Sequence, residues 1–423
     1  MSRPRQLGVP AQARVGVFFA IAVIFGIGLA ADASPAPSKP KVRTITAFVR
    51  LDRPRYQEQI QQTLSFLRAA KLEYEKAGFE VETIRISTQP FPSYTRDLPD
   101  DQVLAFFREY DALATKQGFI AAIGPAMMSD TDDPHEAELL GRIIANSKAL
   151  DGSIFIAGED GIHWKSIQAA ASVIKYLETN TTHSQGNFNF TASSLVPSGA
   201  PFYPASYFAG EGKQFAIGLE SANVVSEVLA STSSPSDAEV RLKRDLGAFA
   251  TQIEKIATEI SAASGWDYGG LDLSPAPLKD VSIGRAFENY LGQPLGSSGT
   301  LTAAALITRA LKAIPVKQAG YSGLMLPVLE DSVIAQRWSE GRLSIDALLS
   351  YSAVCGTGLD TIPLPGDVTQ EQLARLLGDV ASLSVKWHKP LSARLQPVTG
   401  KKSGDMTQFD SPFLVDAKIQ PLP

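Results

Sequence analysis

Three short apolar segments near the C-terminus constrain the fold more than any other part of the chain. They lie within residues 320–405 and read GYSGLMLPVLEDS, CGTGLDTIPLPGDV and KPLSARLQPVTGKKSGD. The run over residues 324–329 is too short for a helix and ends at Glu330 and Asp331, which is typical of a strand covered on both faces. We therefore predict three buried strands here, each followed by charged or glycine-rich residues.

Strands and helices alternate through the preceding part of the chain. The β-branched residues of 42–51 predict a strand, and the apolar stripe of residues 55–77 predicts the helix after it. Continued to the C-terminus, the alternation gives about ten or eleven strands and indicates βαβ units in a largely parallel sheet. Because ten strands are many for one open sheet, we expect a closed α/β barrel surrounded by helices. No Pro/Gly-rich linker divides residues 42–423, which are therefore expected to form one domain.

Three helix starts carry capping signals. The side chains concerned are short and polar, and they accept hydrogen bonds from the first free N–H groups of a helix. The signals are Asp133 before Pro134, Ser236 with Glu239, and Thr369 with Gln372. We expect a helix to begin at each of these positions.

The N-terminal residues have the pattern of a targeting segment. Three arginines precede an uncharged run over residues 15–30, and Ala-Asp-Ala at residues 31–33 is a small-x-small cleavage site. A helix of that run would be about 24 Å long, which is short for a bilayer core of roughly 30 Å. The sequence therefore predicts a cleaved signal peptide over residues 1–33, with an uncleaved signal anchor as the alternative. Residues 34–41 are rich in proline and predict an extended tether. On either reading the protein is exported, to the periplasm or the extracellular space.

Composition excludes several kinds of partner and site. The formal net charge is only -5, and Lys and Arg are scattered without a basic stripe, which argues against a nucleic-acid partner. Cys355 is the only cysteine, so an internal disulfide and a multi-cysteine metal site are excluded. We expect a small-molecule ligand and membrane contact only through an uncleaved N-terminal segment. The sequence leaves a homo-oligomer open.

Acidic side chains follow many of the predicted strands. Open parallel sheets and α/β barrels bind ligands beyond the carboxyl ends of their strands, so such acids are candidates for chemistry. The set consists of Glu220, Asp272, Glu330, Asp331, Asp360, Asp367 and Asp405. Converging carboxylates can hold a divalent cation or act as acid and base. The alternative is that single members cap the following helix through its dipole, as Asp331 could.

Four of these acids are our candidate catalytic residues: Glu330, Asp331, Asp272 and Asp367. If the site holds a metal ion, we expect Mg²⁺ or Ca²⁺, because both ions prefer oxygen ligands. The candidate ligands are then Glu220, Asp272 and Glu330.

Basic and hydroxyl side chains near the same segments are candidates for holding a substrate. Arg394, Lys401 and Lys402 lie in and before VTGKKSGD, where glycines allow close approach to a carboxylate or phosphate. The alternative for the two lysines is a solvated turn. Ser322 and Ser274 complete the substrate-binding candidates. Ser322 misses the G-x-S-x-G elbow by one position, so a serine hydrolase is not expected.

Several motifs in one order carry a family resemblance. They are DLSPAP, GYSGLMLPVLED, VCGTGLD, PLPGD and PLSARLQPVTGKKSGD, all between residues 272 and 405. With these motifs the chain, from about residue 41 to its end, resembles family 711 among the domains of unknown function. The resemblance implies the ten-stranded barrel related to pyruvate formate-lyase and other glycyl radical enzymes. The sequence departs from the radical enzymes, since it has no glycyl loop near its end and no adjacent cysteine pair.

Two functions follow as expectations. The first is an exported, non-radical enzyme, such as a lyase, isomerase or hydrolase, that acts on a small polar or anionic metabolite. It would use carboxylate acid–base chemistry or a divalent metal ion. The alternative is a binding protein that captures a small ligand without turnover. Exchange of a catalytic Glu for Gln separates the two, because it stops proton transfer without emptying the site.

Overall fold

A ten-stranded mixed sheet is the centre of the computed structural model, which describes residues 38–232 and 234–422. The strands are β1 (Lys41–Val49), β2 (Val81–Thr88), β3 (Ile120–Pro125), β4 (Leu150–Gly158), β5 (Gly161–Ile162), β6 (Phe190–Ser194), β7 (Lys213–Glu220), β8 (Asp267–Asp272), β9 (Gly358–Pro365) and β10 (Leu391–Val398). The hydrogen-bonded order is β8-β7-β1-β2-β3-β4-β6-β10-β9, with β5 beside β4. The expectation of an α/β protein is confirmed. The predicted signal peptide, residues 1–33, and residues 34–37 of the predicted tether lie outside the described residues.

Helices alternate with these strands and bury one face of the sheet. They are α1 (Tyr56–Lys76), α2 (Pro92–Thr95), α3 (Asp100–Gln117), α4 (Pro134–Ala145), α5 (Trp164–Asn180), α6 (Ala222–Ala230), α7 (Pro235–Ser264), α8 (Ile283–Leu291), α9 (Thr300–Lys312), α10 (Ser332–Ser339), α11 (Ile345–Ser352) and α12 (Gln370–Trp387). Short 3₁₀ helices occupy Arg53–Arg55 and Thr182–Asn189. Alternate residues of the strands, such as Ile45, Ile86 and Ile154, join the helices in one hydrophobic core. None of the helices described here has the length and apolar character needed to cross a membrane.

The strands run in three parallel groups that meet at antiparallel junctions. β1, β2, β3, β4 and β6 are parallel neighbours, as are β7 with β8 and β9 with β10. β1 pairs antiparallel with β7, and β6 pairs antiparallel with β10. The prediction of a largely parallel sheet is therefore wrong at these two junctions. As a result, the amino ends of β1 to β3 share an edge of the sheet with the carboxyl ends of β7 and β8.

The segment between α9 and α10 lies between the two ends of this strand order. On one side, the backbone N–H of Leu271 in β8 donates to the carbonyl of Lys317 at 2.8 Å. On the other side, the N–H of Val328 donates to the carbonyl of Asp360 in β9 at 3.0 Å. The strand predicted at residues 324–329 is nevertheless wrong, because this stretch has no regular strand pairing. Pro327 has no N–H to donate to a ladder. The strands predicted from the two other C-terminal segments are confirmed as β9 and β10.

The face of the sheet opposite the helices, here called the inner face, is covered by a loop. This loop, residues 195–212, connects β6 to β7. Its Phe208 N–H donates to the carbonyl of Thr88 at 2.9 Å, and the Ser206 hydroxyl lies 2.9 Å from that of Ser87. The side chains that pack there form a second, smaller apolar cluster, which includes Phe155, Phe202, Tyr207, Tyr321 and Met325. The loop thus brings aromatic rings against polar strand residues.

Two of the three predicted capping signals are confirmed. Asp133 caps α4 and accepts a hydrogen bond from the N–H of His135. Thr369 and Gln372 form the complete capping box of α12. The Ser236 box is wrong, because α7 begins two residues earlier, at Pro235, and its N-cap is Ser234, which accepts a hydrogen bond from the N–H of Asp237. Proline favours the first helical position, where its missing N–H costs no hydrogen bond, and this sets the start of α7.

Asp331 connects the starts of two helices. Its carboxylate accepts hydrogen bonds at 3.0 Å from the N–H groups of Val333 and Ile334, at the start of α10. It also accepts bonds from the Ser282 hydroxyl at 2.6 Å and the Ile283 N–H at 2.7 Å, at the start of α8. A single buried carboxylate therefore satisfies free N–H groups of both helices.

We predict that Asp331→Ala destabilises the fold. α10 loses its N-cap, and the N–H groups of Ile283 and Gly284 at the start of α8 lose their acceptor, which lowers the free energy of unfolding by about 2–4 kcal/mol. Chemical denaturation followed by circular dichroism measures the change. Asp280→Ala is the control, because Asp280 is exposed on the connection that leads into α8. A variant at Asp331 that unfolds at the same denaturant concentration as this control would contradict the capping role.

Candidate functional site

A cavity of about 1130 Å³ lies at the edge where strands of opposite direction meet. Its walls come from the amino ends of β1 to β3, the carboxyl ends of β7 and β8, the 3₁₀ helix Thr182–Asn189 and residues 410–414. Phe413 of this last segment stacks on Phe188 with ring centroids 6.1 Å apart. The charged side chains that line the cavity are Lys41, Arg43, Glu80, Glu82, Arg85, Lys148, Asp272, Glu330, Arg394 and Asp410.

Arg394 is a buried cation held between two carboxylates. It lies on β10 with only 2% of its surface exposed. Its Nε is 2.5 Å from Oδ1 of Asp360 on β9, and its Nη2 forms an ion pair with Glu330. Burial alone would lower the pKa of Arg394, but the carboxylates of Asp360 and Glu330 outweigh burial and raise it. The guanidinium therefore stays charged and ties β9, β10 and the segment before α10 together.

Arg43 continues this ionic arrangement on β1. Its Nη1 lies 2.8 Å from Glu220 at the end of β7 and 3.0 Å from Glu82 on β2. Its Nη2 lies 3.8 Å from Glu330. Burial, together with the neighbouring Glu82 carboxylate, raises the pKa of Glu220 to about 7. Arg43 thereby links the carboxylates of β2 and β7 to the one that Arg394 holds.

Glu330 is the carboxylate shared by both guanidinium groups. It lines the cavity and is only 6% exposed. Burial raises its pKa above the usual range, although Arg394 opposes part of this shift. A carboxyl group moved toward neutral pH in this way is suited to give up or take a proton.

Arg85 lines the same cavity without a partner. Its guanidinium forms no hydrogen bond or ion pair with any residue that the structure describes, and its Nε is buried. The group lies over the ring of Tyr203, 5.3 Å from the centroid, and the Tyr203 hydroxyl donates to Asn189 at 2.5 Å. Burial, with the charge of Arg43 nearby, lowers the pKa of Arg85 to about 10. The group is still a cation at neutral pH and has free N–H donors.

Asp151 is a second unpartnered charge-bearing side chain. It lies near the start of β4, 1% exposed, and neither carboxylate oxygen has a hydrogen-bond partner among the described residues. Burial raises its pKa to about 7, against the opposing charges of Arg85 and Arg394. Asp151 does not reach the cavity wall itself.

The structure brings some of the predicted site residues together at the cavity. Glu330, Asp272, Ser274 and Arg394 all line it. The carboxylate of Asp272 accepts four hydrogen bonds, which come from the N–H and hydroxyl of Ser274 at 2.9 and 2.6 Å and from the N–H groups of Tyr321 and Ser322 at 3.0 Å. Asp272 therefore clamps the end of β8 to the segment that follows α9.

A glycine is required beside this clamp. Gly320 has a φ of 60°, and a Cβ at this position would overlap the Asp272 carboxylate. Ser322 is buried beside the clamp, and its hydroxyl donates to the carbonyl of Ala319 at 2.9 Å.

Six of the predicted site residues do not line the cavity. Ser322 contacts Asp272 and Glu220 contacts Arg43, and the other four are Asp331, Asp367, Lys401 and Lys402. Asp331 is used by the two helix starts described above. Asp367 is exposed in the turn after β9. Lys401 donates to Gln408 at 3.1 Å, and Lys402 is exposed. The expected convergence of acids at one rim therefore applies to Asp272 and Glu330 but not to Asp331 and Asp367.

The candidate metal ligands are engaged by protein groups. Glu220 and Glu330 face Arg43, and Asp272 has its four donors. Within residues 38–232 and 234–422, no three or more His, Cys, Asp or Glu side chains are grouped closely enough to hold a metal ion.

Sequence reasoning found Arg394 but missed two other cations of the cavity, Arg43 and Arg85. It considered mainly the carboxyl ends of strands, whereas Arg43 lies near the amino end of β1 and Arg85 in the middle of β2. The sequence did not show that β7 and β10 run antiparallel to their neighbours β1 and β6. The available signal was an arginine within each of two otherwise apolar or alternating strands, because a charge in such a strand needs a partner or a ligand.

Comparison with known proteins identifies the family. A family model described as "Uncharacterised ACR (DUF711)" matches residues 36–410. The chain belongs to the DUF711 family. The match spans every charged cavity residue named above, from Lys41 to Asp410. The resemblance inferred from the motifs is thus confirmed for the family.

Relatives in the DUF711 family cover most of the chain. The UPF0210 protein of Pyrobaculum arsenaticum is 30% identical, over 80% of this chain and 78% of its own length. That of Pyrobaculum aerophilum is 31% identical, over 78% of this chain and 76% of its own. The UPF0210 protein of Listeria monocytogenes serotype 4a is 26% identical, over 87% and 85%. The chain is therefore similar to these proteins over most of its length.

We predict that replacing the two arginines of the inner face, Arg394 and Arg85, changes stability by different amounts. Arg394→Met leaves Asp360 and Glu330 buried without their cation, which lowers the free energy of unfolding by about 3–5 kcal/mol. Arg85→Met removes a cation that has no ion pair, so the free energy changes by less than about 1 kcal/mol or rises. Urea denaturation of both variants measures the difference. Equal losses in the two variants would show that the pairing does not control stability.

Proposed function

We propose that this DUF711 protein binds a small anionic metabolite in the cavity, with Arg85 as the group that holds the negative charge. One observation carries the proposal: the guanidinium of Arg85 faces a large cavity and has no hydrogen-bond or ion-pair partner among the described residues. Arg43 and Arg394, in contrast, are already ion-paired. A free guanidinium forms strong paired hydrogen bonds with a carboxylate or phosphate.

The cavity walls are suited to a small organic anion. Pockets for small molecules have volumes of about 300–1,000 Å³, and this cavity of about 1130 Å³ offers comparable room. The aromatic side chains of Phe188, Phe202, Tyr203 and Phe413 supply apolar surface beside the charged groups. Such a mixture favours a compound with a carbon skeleton over a simple inorganic ion.

We further propose that the protein transforms this anion by non-radical proton transfer, with Glu330 as acid or base. Support comes from the place of Glu330 on the cavity wall and from burial, which raises its pKa. Arg394 would orient the carboxylate and stabilise negative charge that develops on the substrate. The reaction class is then that of a lyase, isomerase or hydrolase. Asp272 and Ser274 would shape the wall of the site.

Capture without turnover is the second candidate. It is favoured by the ion pairing of the carboxylates, because Glu82, Glu220 and Glu330 all lie within 4 Å of Arg43. Pairing with a guanidinium opposes the rise in carboxylate pKa that burial causes, and so weakens the carboxylate as a base. A protein of this kind would return its ligand chemically unchanged.

The sheet is proposed to close into a ten-stranded barrel similar to that of pyruvate formate-lyase. The contacts of residues 316–329 with β8 and β9 support closure, since both ends of the strand order touch this segment. An experimental structure with solvent running between β8 and β9 would overturn this part of the proposal.

Export is proposed from the arginines and the apolar run at the N-terminus. Mass spectrometry of the native protein should find a mature N-terminus close to residue 34 in the exported fraction. An intact N-terminus in the membrane fraction would instead indicate the signal anchor. An intact protein confined to the cytosol would contradict both.

Arg85→Gln tests anion binding. Because the charged hydrogen bonds are lost, sulfate and succinate are expected to bind about 10- to 100-fold more weakly than to the wild type. Isothermal titration calorimetry measures both affinities. Lys243→Gln is the control for charge, since Lys243 is exposed on α7 away from the cavity. A loss of binding in this control, or none in Arg85→Gln, would refute the assignment.

Glu330→Gln separates the two candidate functions. Proton transfer by Glu330 predicts a drop in turnover of about 100-fold or more, with anion binding retained. Wild type and variant are incubated with a pool of small carboxylic acids, and mass spectrometry follows the loss of each compound. Consumption by the wild type alone supports the enzyme. If the wild type returns every compound that it binds, the protein is a binding protein.

A further inference from the structure

Asp151 is buried on the same face of the sheet as Arg85, two residues farther along the strand direction. In the sheet, Asp151 of β4 pairs with Ala122 of β3, and Ala122 pairs with Ser87 of β2. Arg85 is two residues before Ser87 and so lies on the same face, nearer to the amino end of β2. A carboxylate at this depth, with both oxygens lacking hydrogen-bond partners, is costly when ionised.

The titratable groups around Asp151, two of them charged, come from four elements. β2 contributes Arg85 and β10 contributes Arg394, and both cations favour ionised Asp151. The loop over the inner face contributes Tyr203, and α3 contributes Tyr110. Burial raises the pKa of both tyrosines well above their usual value, so they stay neutral.

Of the two cations, Arg85 is the one whose charge is free to act on Asp151. Arg394 is committed to Asp360 and Glu330. Arg85 has no such partner, and it is the stronger of the two opposing charges on Asp151. A negative charge brought to Arg85 therefore removes the main compensation that Asp151 has for being ionised.

We infer that Asp151 takes up a proton when an anion binds at Arg85. The inference rests on the proposed function, since it requires Arg85 to be the anion-binding group. Asp151 acts through Arg85 and is thus a positioning residue: its proton offsets one of the negative charges that the anion brings to the site. The proton comes from solvent, and no bond other than the O–H of the carboxyl group is formed.

The sign of the pH dependence follows from linkage. Burial raises the pKa of Asp151 to about 7 in the free protein, and a bound anion raises it further. The occupied protein therefore holds more protons than the free protein just above neutral pH. Affinity for an anion of constant charge falls as the pH rises above about 7, by at most about tenfold per pH unit for this single group.

Calorimetric titration with sulfate tests the inference on the full mature chain. Sulfate keeps its charge through the neutral range, and titrations slightly above neutral pH in two buffers of different ionisation enthalpy give the number of protons taken up. The wild type is expected to take up as much as about one proton more than Asp151→Asn, whose amide cannot titrate. Glu136→Gln is the matched control. Burial also raises the pKa of Glu136, but that residue lies on α4 and does not line the cavity.

The outcomes separate the two proposals. If sulfate does not bind to the wild type, the anion site fails and the inference fails with it. If sulfate binds but Asp151→Asn takes up as many protons as the wild type, only the inference is overturned. The comparison of variants isolates Asp151, because Glu220 and Glu330, whose pKa values are also raised, are present in both proteins.

Infrared difference spectra of the wild type give a second readout that does not depend on the folding of a variant. Addition of sulfate is expected to increase the carbonyl band of a protonated carboxylic acid. Absence of that increase would overturn the inference. In Asp151→Asn the increase should be lost or reduced, whereas in Glu136→Gln it should remain.

Discussion

The pairing of Arg394 with Asp360 and Glu330 is the interaction on which the rest of the site depends. A guanidinium that is 2% exposed is costly to bury unless anions surround it. The three partners come from β10, β9 and the segment before α10, so one ionic cluster fixes three distant parts of the chain. Arg43 extends this cluster to β1, β2 and β7 through Glu82 and Glu220. One part of the cavity wall is thus built on a network of alternating charges.

Arg85 and Asp151 differ from this ionic cluster, because their buried polar atoms have no hydrogen-bond partner among the described residues. Arg85 and Asp151 are adjacent to an ionic cluster in which the other arginines are balanced. Folding alone gives no reason to leave a cation and a carboxyl group without hydrogen bonds in a buried place. Proteins tolerate such groups where a ligand completes them, and the stability lost is recovered on binding.

Much of the fold could be predicted from the sequence, because local signals agree with the tertiary structure. The alternation of strands and helices, the strands β9 and β10, and the caps at Asp133 and Thr369 all follow from short-range patterns. The direction of β7 and β10 relative to their neighbours does not, since no local pattern distinguishes parallel from antiparallel pairing in a buried strand. Because the strand directions were unknown, Glu330 and Asp272 could be predicted as site residues, whereas Arg43 and Arg85 could not. Residues 324–329 illustrate a second limit of prediction. Their apolar run correctly indicates burial, but it does not show whether the backbone pairs as a regular strand.

The clamp between Asp272 and residues 320–322 explains why two sequence motifs occur together in this chain. Two of the motifs by which the chain is recognised, DLSPAP and GYSGLMLPVLED, meet in this clamp, where the absence of a side chain at Gly320 makes room for the carboxylate. Their joint presence in a homologue therefore reports a shared architecture, and the two positions are expected to change together during evolution. Differences in chemistry between homologues are better sought at the side chains opposite, on the first strands, where natural variation can alter what is recognised without disturbing the scaffold.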